Sequence, residues 1–233
     1  MSMVSDYSTE RGRARISVVT GAGSGLGAAI TLELAAGGDA LALLDRDIAA
    51  AERTAQVVAQ AGVAACVIRC DVAVPAEVEA AFEETARCLG APDRLVNNAG
   101  IYPDGPALEV TAEDWDRVLD VNLKGAFLCA KSFGRARVAA GGGGAIVNVA
   151  STAAFSARRG AAHYSASKAG MVALTRSLAL EWGTYGIRAN AVAPGYIDVR
   201  PDQTTPEYRA AFIPMVPLGR TGTPPEVARV VRF

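Results

Sequence analysis

The sequence predicts a doubly wound α/β fold, a parallel sheet with helices packed on both faces. Three observations lead there. Six continuous apolar runs of strand length recur along the chain, helical stretches separate them, and no repeat or linker-like segment interrupts the alternation.

In order, the runs are ISVVT at 16–20, ALALLD at 40–45, VAACVIR at 63–69, RLVN at 94–97, AIVNVA at 145–150 and IRANAVA at 187–193. Continuous rather than alternating hydrophobicity suits strands buried on both faces. Helices are predicted at 25–36, 47–61, 75–90, 113–139 and 162–183. Pro75 suits a first helical position, and Thr111 stands three residues before Asp114 in a capping pattern. The run GGGG at 141–144 reads as a tight connection into the fifth strand. Strands alternating with helices require right-handed crossovers. One domain over 15–233 follows, after a polar extension at 1–14.

Composition narrows the function. The 233 residues are 51% apolar and 20% charged, with 24 glycines and a net charge of −1. The arginines are scattered, which argues against nucleic acid or an acidic membrane surface as a partner. No run of about 18 apolar residues exists. The first fifteen residues lack the apolar stretch of a secretory signal, so the cytoplasm is the expected address. Cys66, Cys70, Cys88 and Cys129 form no C-x-x-C pair and are expected to be buried reduced thiols, with no metal.

The first strand runs directly into TGAGSGLG (20–27), which opens a helix. Gly21, Gly25 and Gly27, with Gly23 besides, miss the G-x-G-x-x-G spacing but share its physics. Bare backbone around Ser24 and Leu26 can approach a pyrophosphate, at the positive end of the helix. Asp45 ends the second strand eighteen residues past Gly27, where a carboxylate accepts from ribose hydroxyls and repels a 2′-phosphate. NAD is therefore expected over NADP, with Arg46 as the counterweight. A plain turn role for Asp45 stays open.

Tyr164 and Lys168 stand four apart on one helical face. A phenol with a pKa of about 10 is a poor base. A unit charge about 4 Å away supplies roughly 4 kcal/mol at an effective dielectric near 20. That is enough to bring the phenol near neutrality, although burial opposes it. Tyr164 is accordingly the candidate general base for alcohol oxidation and acid for carbonyl reduction. His163, the only histidine, adjoins Tyr164 but projects about 100° away round the helix. The 158–159 arginine pair reads first as a solvated loop and second as a contact to substrate. Trp115 and Trp182 read as packing or interface residues.

TGAGSGLG, NNAG (97–100), Ser151, YSASK (164–168) and PG (194–195), in this order, resemble the short-chain dehydrogenase/reductase family from about residue 15 to the end. The resemblance implies a Rossmann-type fold, a catalytic set of Asn122, Ser151, Tyr164 and Lys168, and a homo-oligomer, dimer or tetramer. It further implies that Asp71 and Val72 hold the adenine and that Asn98, Ala99 and Gly100 line the adenosine ribose side. Pro194, Gly195 and Ile197 contact the nicotinamide, while Lys168 binds its ribose. Ser151 would stabilise charge developing on the substrate oxygen, and Asn122 would anchor a water-linked proton path.

Two departures stand out. Val199 occupies a position where relatives often carry a threonine that bonds the cofactor, so that hydrogen bond is expected to be either missing or supplied by the Thr204–Thr205 region. PPEVARVVRF ends the sequence in a helix-like segment, where relatives continue through a further strand, so the sheet is expected to be one strand short.

The substrate is expected to be a small secondary alcohol or ketone, first a polyol or sugar, although an apolar rim at Ala153, Ala154 and Phe155 counts against it. A lid over 196–215 would carry Tyr196, Tyr208 and Phe212. The alternatives are a 3-oxoacyl-thioester reductase using NADPH, and a non-catalytic dinucleotide-binding sensor.

Overall fold

Adjacent apolar residues of the inner strands pack on opposite faces of one sheet. In a computed structural model that describes residues 13–156, 158–199, 205, 210 and 213–233, Val18 belongs to one core layer and Val19 to the other. The strands are β1 (Ile16–Thr20), β2 (Ala40–Asp45), β3 (Ala65–Arg69), β4 (Arg94–Asn97), β5 (Gly144–Val149) and β6 (Ile187–Val192). They pair in parallel in the order β3-β2-β1-β4-β5-β6. The order reverses between β1 and β4, which opens a crevice at the carboxyl ends of the strands.

The helices are α1 (Gly25–Ala36), α2 (Ile48–Ala59), α3 (Pro75–Cys88), α4 (Ala112–Leu119), α5 (Gly125–Ala139), α6 (Ala162–Trp182) and α7 (Pro224–Arg232). One face of the sheet is covered by α3, α5 and α6 through residues such as Phe82, Phe133 and Leu178. The other is covered by α1, α2 and α7 through Ile30, Leu34, Val58 and Val231. Capping is local and legible. Asp47 accepts from Ala50 N–H (3.0 Å), Thr111 accepts from Asp114 N–H (3.1 Å), and Thr223 and Glu226 form a reciprocal box at α7, each such cap being worth about 1 kcal/mol.

Three expectations are corrected. The edge strands β3 and β6 are not buried on both faces, because one flank of each lacks a neighbour: Arg188 and Asn190 alternate outward from buried Ile187 and Ala189. The helix expected over 113–139 is interrupted by a π turn at Asp120–Lys124. Cys88 is exposed at the end of α3, whereas Cys70 and Cys129 are buried and Cys66 is partly so. Burial pushes the Cys66 and Cys70 thiols up to about 12, which keeps them protonated and unreactive. Trp182 packs on Gly134, where a Cβ would meet its ring at 3.0 Å, but Trp115 is 41% exposed.

Candidate active site

The carboxyl ends of the central strands open into a cleft of about 740 Å³. Its floor is the turn after β1. Gly21 N–H donates to Leu44 O (2.8 Å), and a Cβ on Gly27 would lie 1.9 Å from Gly21 O, so the helix can start this close only with glycine there. Ser24 is the N-cap of α1 but makes no side-chain cap bond, and the first turn holds no acidic residue. The amino end of α1 thus presents its positive end to the cleft without a side-chain cap, which fits a phosphate.

Asp45 is fixed from two sides. Gly23 N–H donates to its Oδ2 (2.8 Å) and Asp47 N–H to its Oδ1 (2.9 Å). A carboxylate has about four lone-pair sites, so bracing the turn leaves acceptor capacity for a hydroxyl. Arg46, exposed, lines the same wall. Asp71 caps the next turn through Ala73 N–H (2.9 Å), with Val72 buried beside it.

Asn98 lines the cleft and also braces it. Its Nδ2 donates to Thr20 O (3.0 Å) and Gly21 O (3.2 Å), and Thr20 Oγ1 accepts from both Asn98 N–H and Ala99 N–H at 3.0 Å. It clamps the end of β4 to the glycine turn. Asn122, fully buried in the π turn, brackets Ile101: its Oδ1 accepts from Ile101 N–H (2.8 Å) and its Nδ2 donates to Ile101 O (2.8 Å) and Ser167 Oγ (3.1 Å). π turns inside helices are frequent at functional sites. Gly125 closes this one, since a Cβ there would sit 2.8 Å from Val72 Cγ2.

Ser151 follows β5 and accepts from Ala153 N–H (3.1 Å). Tyr164 lies in the first turn of α6 and Lys168 one turn on. Lys168 is 4% exposed, donates to Val149 O (2.8 Å), and lies 5.8 Å from the centre of the Tyr164 ring. Burial pushes its ammonium down to about 8. The expected electrostatic balance at Tyr164 is reversed here. Burial raises the phenol above its ordinary value, while a Ser151 hydrogen bond and the charge of Arg158 lower it and Tyr102 adds to the rise. Lys168 lies over the ring but its Nζ is engaged by the Val149 carbonyl, and it is not among the groups that lower the phenol.

The substrate end of the cleft departs from expectation. Ala153 lines it, but Phe155 is 67% exposed and Ala154 is absent from the wall, which instead carries Thr152, Ser156 and Arg158. Arg158 is only partly solvated: its side chain is 32% exposed, pairs with Asp104 and lines the cleft. Tyr102 stands edge-on to Tyr164, with ring centres 6.3 Å apart at 70°. His163, 2% exposed, lines a separate cavity of about 340 Å³ with Asp104 and Glu109. Val199 packs over Gly25, and Thr221 lines the cleft where Thr205 does not. Thr204, Tyr208 and Phe212 lie outside the described residues.

The cleft brings together Gly21, Ser24, Gly25, Leu26, Gly27, Asp45, Asp71, Val72, Asn98, Ala99, Gly100, Ser151, Tyr164, Lys168, Pro194, Gly195 and Ile197. Asn122 stands behind the wall. A family model described as enoyl-(acyl carrier protein) reductase matches residues 21–233. The (3R)-3-hydroxyacyl-CoA dehydrogenase of Mus musculus is 39% identical over 95% of this chain and 89% of its own length. The chain belongs to the short-chain dehydrogenase/reductase family.

Other members are similarly near. Galactitol 2-dehydrogenase (L-tagatose-forming) of Cereibacter sphaeroides is 41% identical over 92% of this chain and 85% of its own. The crystal structure of a short-chain type dehydrogenase/reductase from Mycobacterium marinum superposes with a TM-score of 0.87 at 35% identity, covering 93% of this chain and 85% of that one. As a short-chain dehydrogenase/reductase the protein is an oxidoreductase of alcohols and ketones that binds a nicotinamide dinucleotide. No helix among the described residues is long and apolar enough to cross a membrane.

Several site residues escape sequence reasoning. Tyr102 and Thr221 carry no motif, though following β4 past NNAG would have led to Tyr102. Buried Asn97, Asn148 and Thr175 form a polar ladder from β4 through β5 to α6: Asn97 donates to Asn148 (2.9 Å) and Asn148 to Thr175 (2.8 Å). Asparagines inside apolar strand runs were the available signal.

Proposed function

We propose that the protein catalyses reversible hydride transfer between NAD and a small secondary alcohol or its ketone, with Tyr164 as general acid/base. The observation that carries this reading is the convergence of Ser151, Tyr164 and Lys168 on one end of the cleft whose other end is the uncapped start of α1. Gly21, Ser24, Gly25, Leu26 and Gly27 would hold the pyrophosphate, Asp45 the adenosine ribose, Asp71 and Val72 the adenine, and Pro194, Gly195 and Ile197 the nicotinamide. When bound, the nicotinamide supplies the hydride acceptor or donor.

In oxidation the carbinol carbon loses a hydride and its oxygen loses a proton to the phenolate form of Tyr164; in reduction the protonated phenol returns it. Ser151, hydrogen-bonded to Tyr164, holds the substrate oxygen beside the phenol and stabilises its partial charge. Lys168 is anchored by Val149 O and orients the ribose, while Asn122 fixes the Ile101 backbone on which the wall of the site depends. The raised phenol stays protonated near neutrality, so it holds the proton that reduction requires, although as a weaker acid than an ordinary phenol.

The fixed Asp45 carboxylate supports NAD over NADP. A polyhydroxylated substrate is the first candidate, supported by the polar wall at Thr152, Ser156 and Arg158 and by the likeness to galactitol 2-dehydrogenase. The likeness to a hydroxyacyl-CoA dehydrogenase supports a 3-oxoacyl thioester as the second. Initial rates with NADH and NADPH against ketoses, simple ketones and a 3-oxoacyl thioester test this. Ketose reduction at least tenfold faster with NADH is the expected result. Preference for NADPH with the thioester would replace the first reading with the second.

A further inference from the structure

We infer that Arg158 is the specificity-determining residue of this site and binds a carboxylate carried by the substrate alcohol or ketone. The inference rests on the dehydrogenase reading above and names its substrate class more narrowly, as hydroxy or oxo acids.

Three cations line the cleft among the described residues: Arg46, Lys168 and Arg158. Arg46 belongs to the far wall beside Asp45. Lys168 is buried and already donates to Val149 O at 2.8 Å. Arg158 is the cation left at the end where Ser151, Tyr164 and Tyr102 converge, and it is close enough for its charge to favour the Tyr164 phenolate.

Arg158 is also incompletely satisfied. A guanidinium offers five donors in a planar fork that matches a carboxylate two bonds at a time. Here Nη2 meets Asp104, while Nε is buried with no hydrogen-bond partner. Asp104 is a replaceable partner, because its side chain is 65% exposed and such ion pairs contribute little in water. A substrate carboxylate can therefore take over the fork and pair the donor now left without an acceptor.

The pair is not needed merely to latch two loops. Gly105 N–H already donates to Gly160 O at 2.9 Å, joining the segment that carries Asp104 to the one that carries Arg158. A latch would not require a guanidinium set into the wall of the cleft.

The test uses the full chain loaded with NADH, in which an alcohol cannot be oxidised, and two matched pairs of probes: gluconate against glucitol, and 3-hydroxybutyrate against its methyl ester. Calorimetric titration is expected to show at least one acid binding tenfold or more tightly than its neutral partner. Arg158→Met should abolish that preference, Arg158→Lys should keep part of it, and Asp104→Asn should retain it. Equal binding of acid and neutral partner, binding of no acid, or a preference that survives in Arg158→Met would overturn the inference. Rates with the same pairs keep the two readings apart. Acid-selective binding without turnover of any pair by NAD or NADP would end the dehydrogenase reading and leave the carboxylate subsite standing.

Discussion

At the amino ends of the strands, the carboxylates of Asp39 and Asp93 are sheltered and each has several partners. Asp39, 2% exposed at its side chain, accepts from Ser17 Oγ (2.6 Å), Arg94 (3.0 Å) and Arg15 (3.3 Å), and Asp93 accepts from Arg13, Arg137 and Ile16 N–H. At the carboxyl ends the same sheet leaves groups under-served: an uncapped helix start, an unpaired Arg158 Nε, a lysine held buried and a phenol raised by burial. One end of the sheet stabilises the fold and the other holds polar groups ready for ligands. Substitutions at the two ends should therefore separate stability from activity.

The sharpest break is Tyr164→Phe. General acid–base catalysis contributes about 10²–10⁴-fold, so kcat should fall by that factor while the melting temperature and NADH affinity hold. Near-normal turnover would remove Tyr164 from the chemistry. The matching change at the other end is Asp39→Ala, which strands Arg94 and should cost about 3 kcal/mol of stability in a urea titration. Cofactor affinity should not move.

Gly27→Ala tests the one place where both demands meet. Its Cβ would overlap Gly21 O, so strain of about 3 kcal/mol is expected together with loss of NADH binding, read by melting and fluorescence titration. Loss of only one would show that the turn is less rigid than its packing implies.

Lys168→Met sharpens the contrast through pH. A fall from the ordinary lysine value to about 8 corresponds to a burial penalty of about 3 kcal/mol at about 1.4 kcal/mol per pH unit. Between those pH values the unfolded chain binds the extra proton, so wild-type stability rises with pH there and the penalty is complete only below about 8. The variant should be the more stable protein near pH 7, less the lost bond to Val149 O, and its advantage should shrink as pH climbs past 8. Melting curves across that range decide it; an advantage independent of pH would mean that burial does not shift the Lys168 ammonium. The smallest effect is Asp45→Asn, expected to narrow the NADH-over-NADPH ratio in kcat/KM by about tenfold, or about 1.4 kcal/mol.

Much of the carboxyl end was legible because its demands fall on backbone. A glycine at 27 is required by the 1.9 Å approach to Gly21 O, and such a requirement leaves a fixed letter in the sequence. The i,i+4 spacing likewise put Tyr164 and Lys168 on one face. What the spacing could not supply was the sign of the electrostatics, since burial of Tyr164 and the bond from Lys168 to Val149 O depend on how α6 meets β5. The π turn was hidden for a similar reason: Asn122 bonds Ile101, a residue brought close only by packing.

The sequence alone determined the six parallel strands, the alternation of helices and the glycine turn that opens the cleft, because periodicity and glycine placement act over a few neighbouring residues. Only the tertiary structure decided the wall opposite Tyr164. Tyr102, Asp104 and Arg158 come from loops more than fifty positions apart in the cases that meet, such as Asp104 with Arg158, and no local pattern encodes a contact made across a folded cleft.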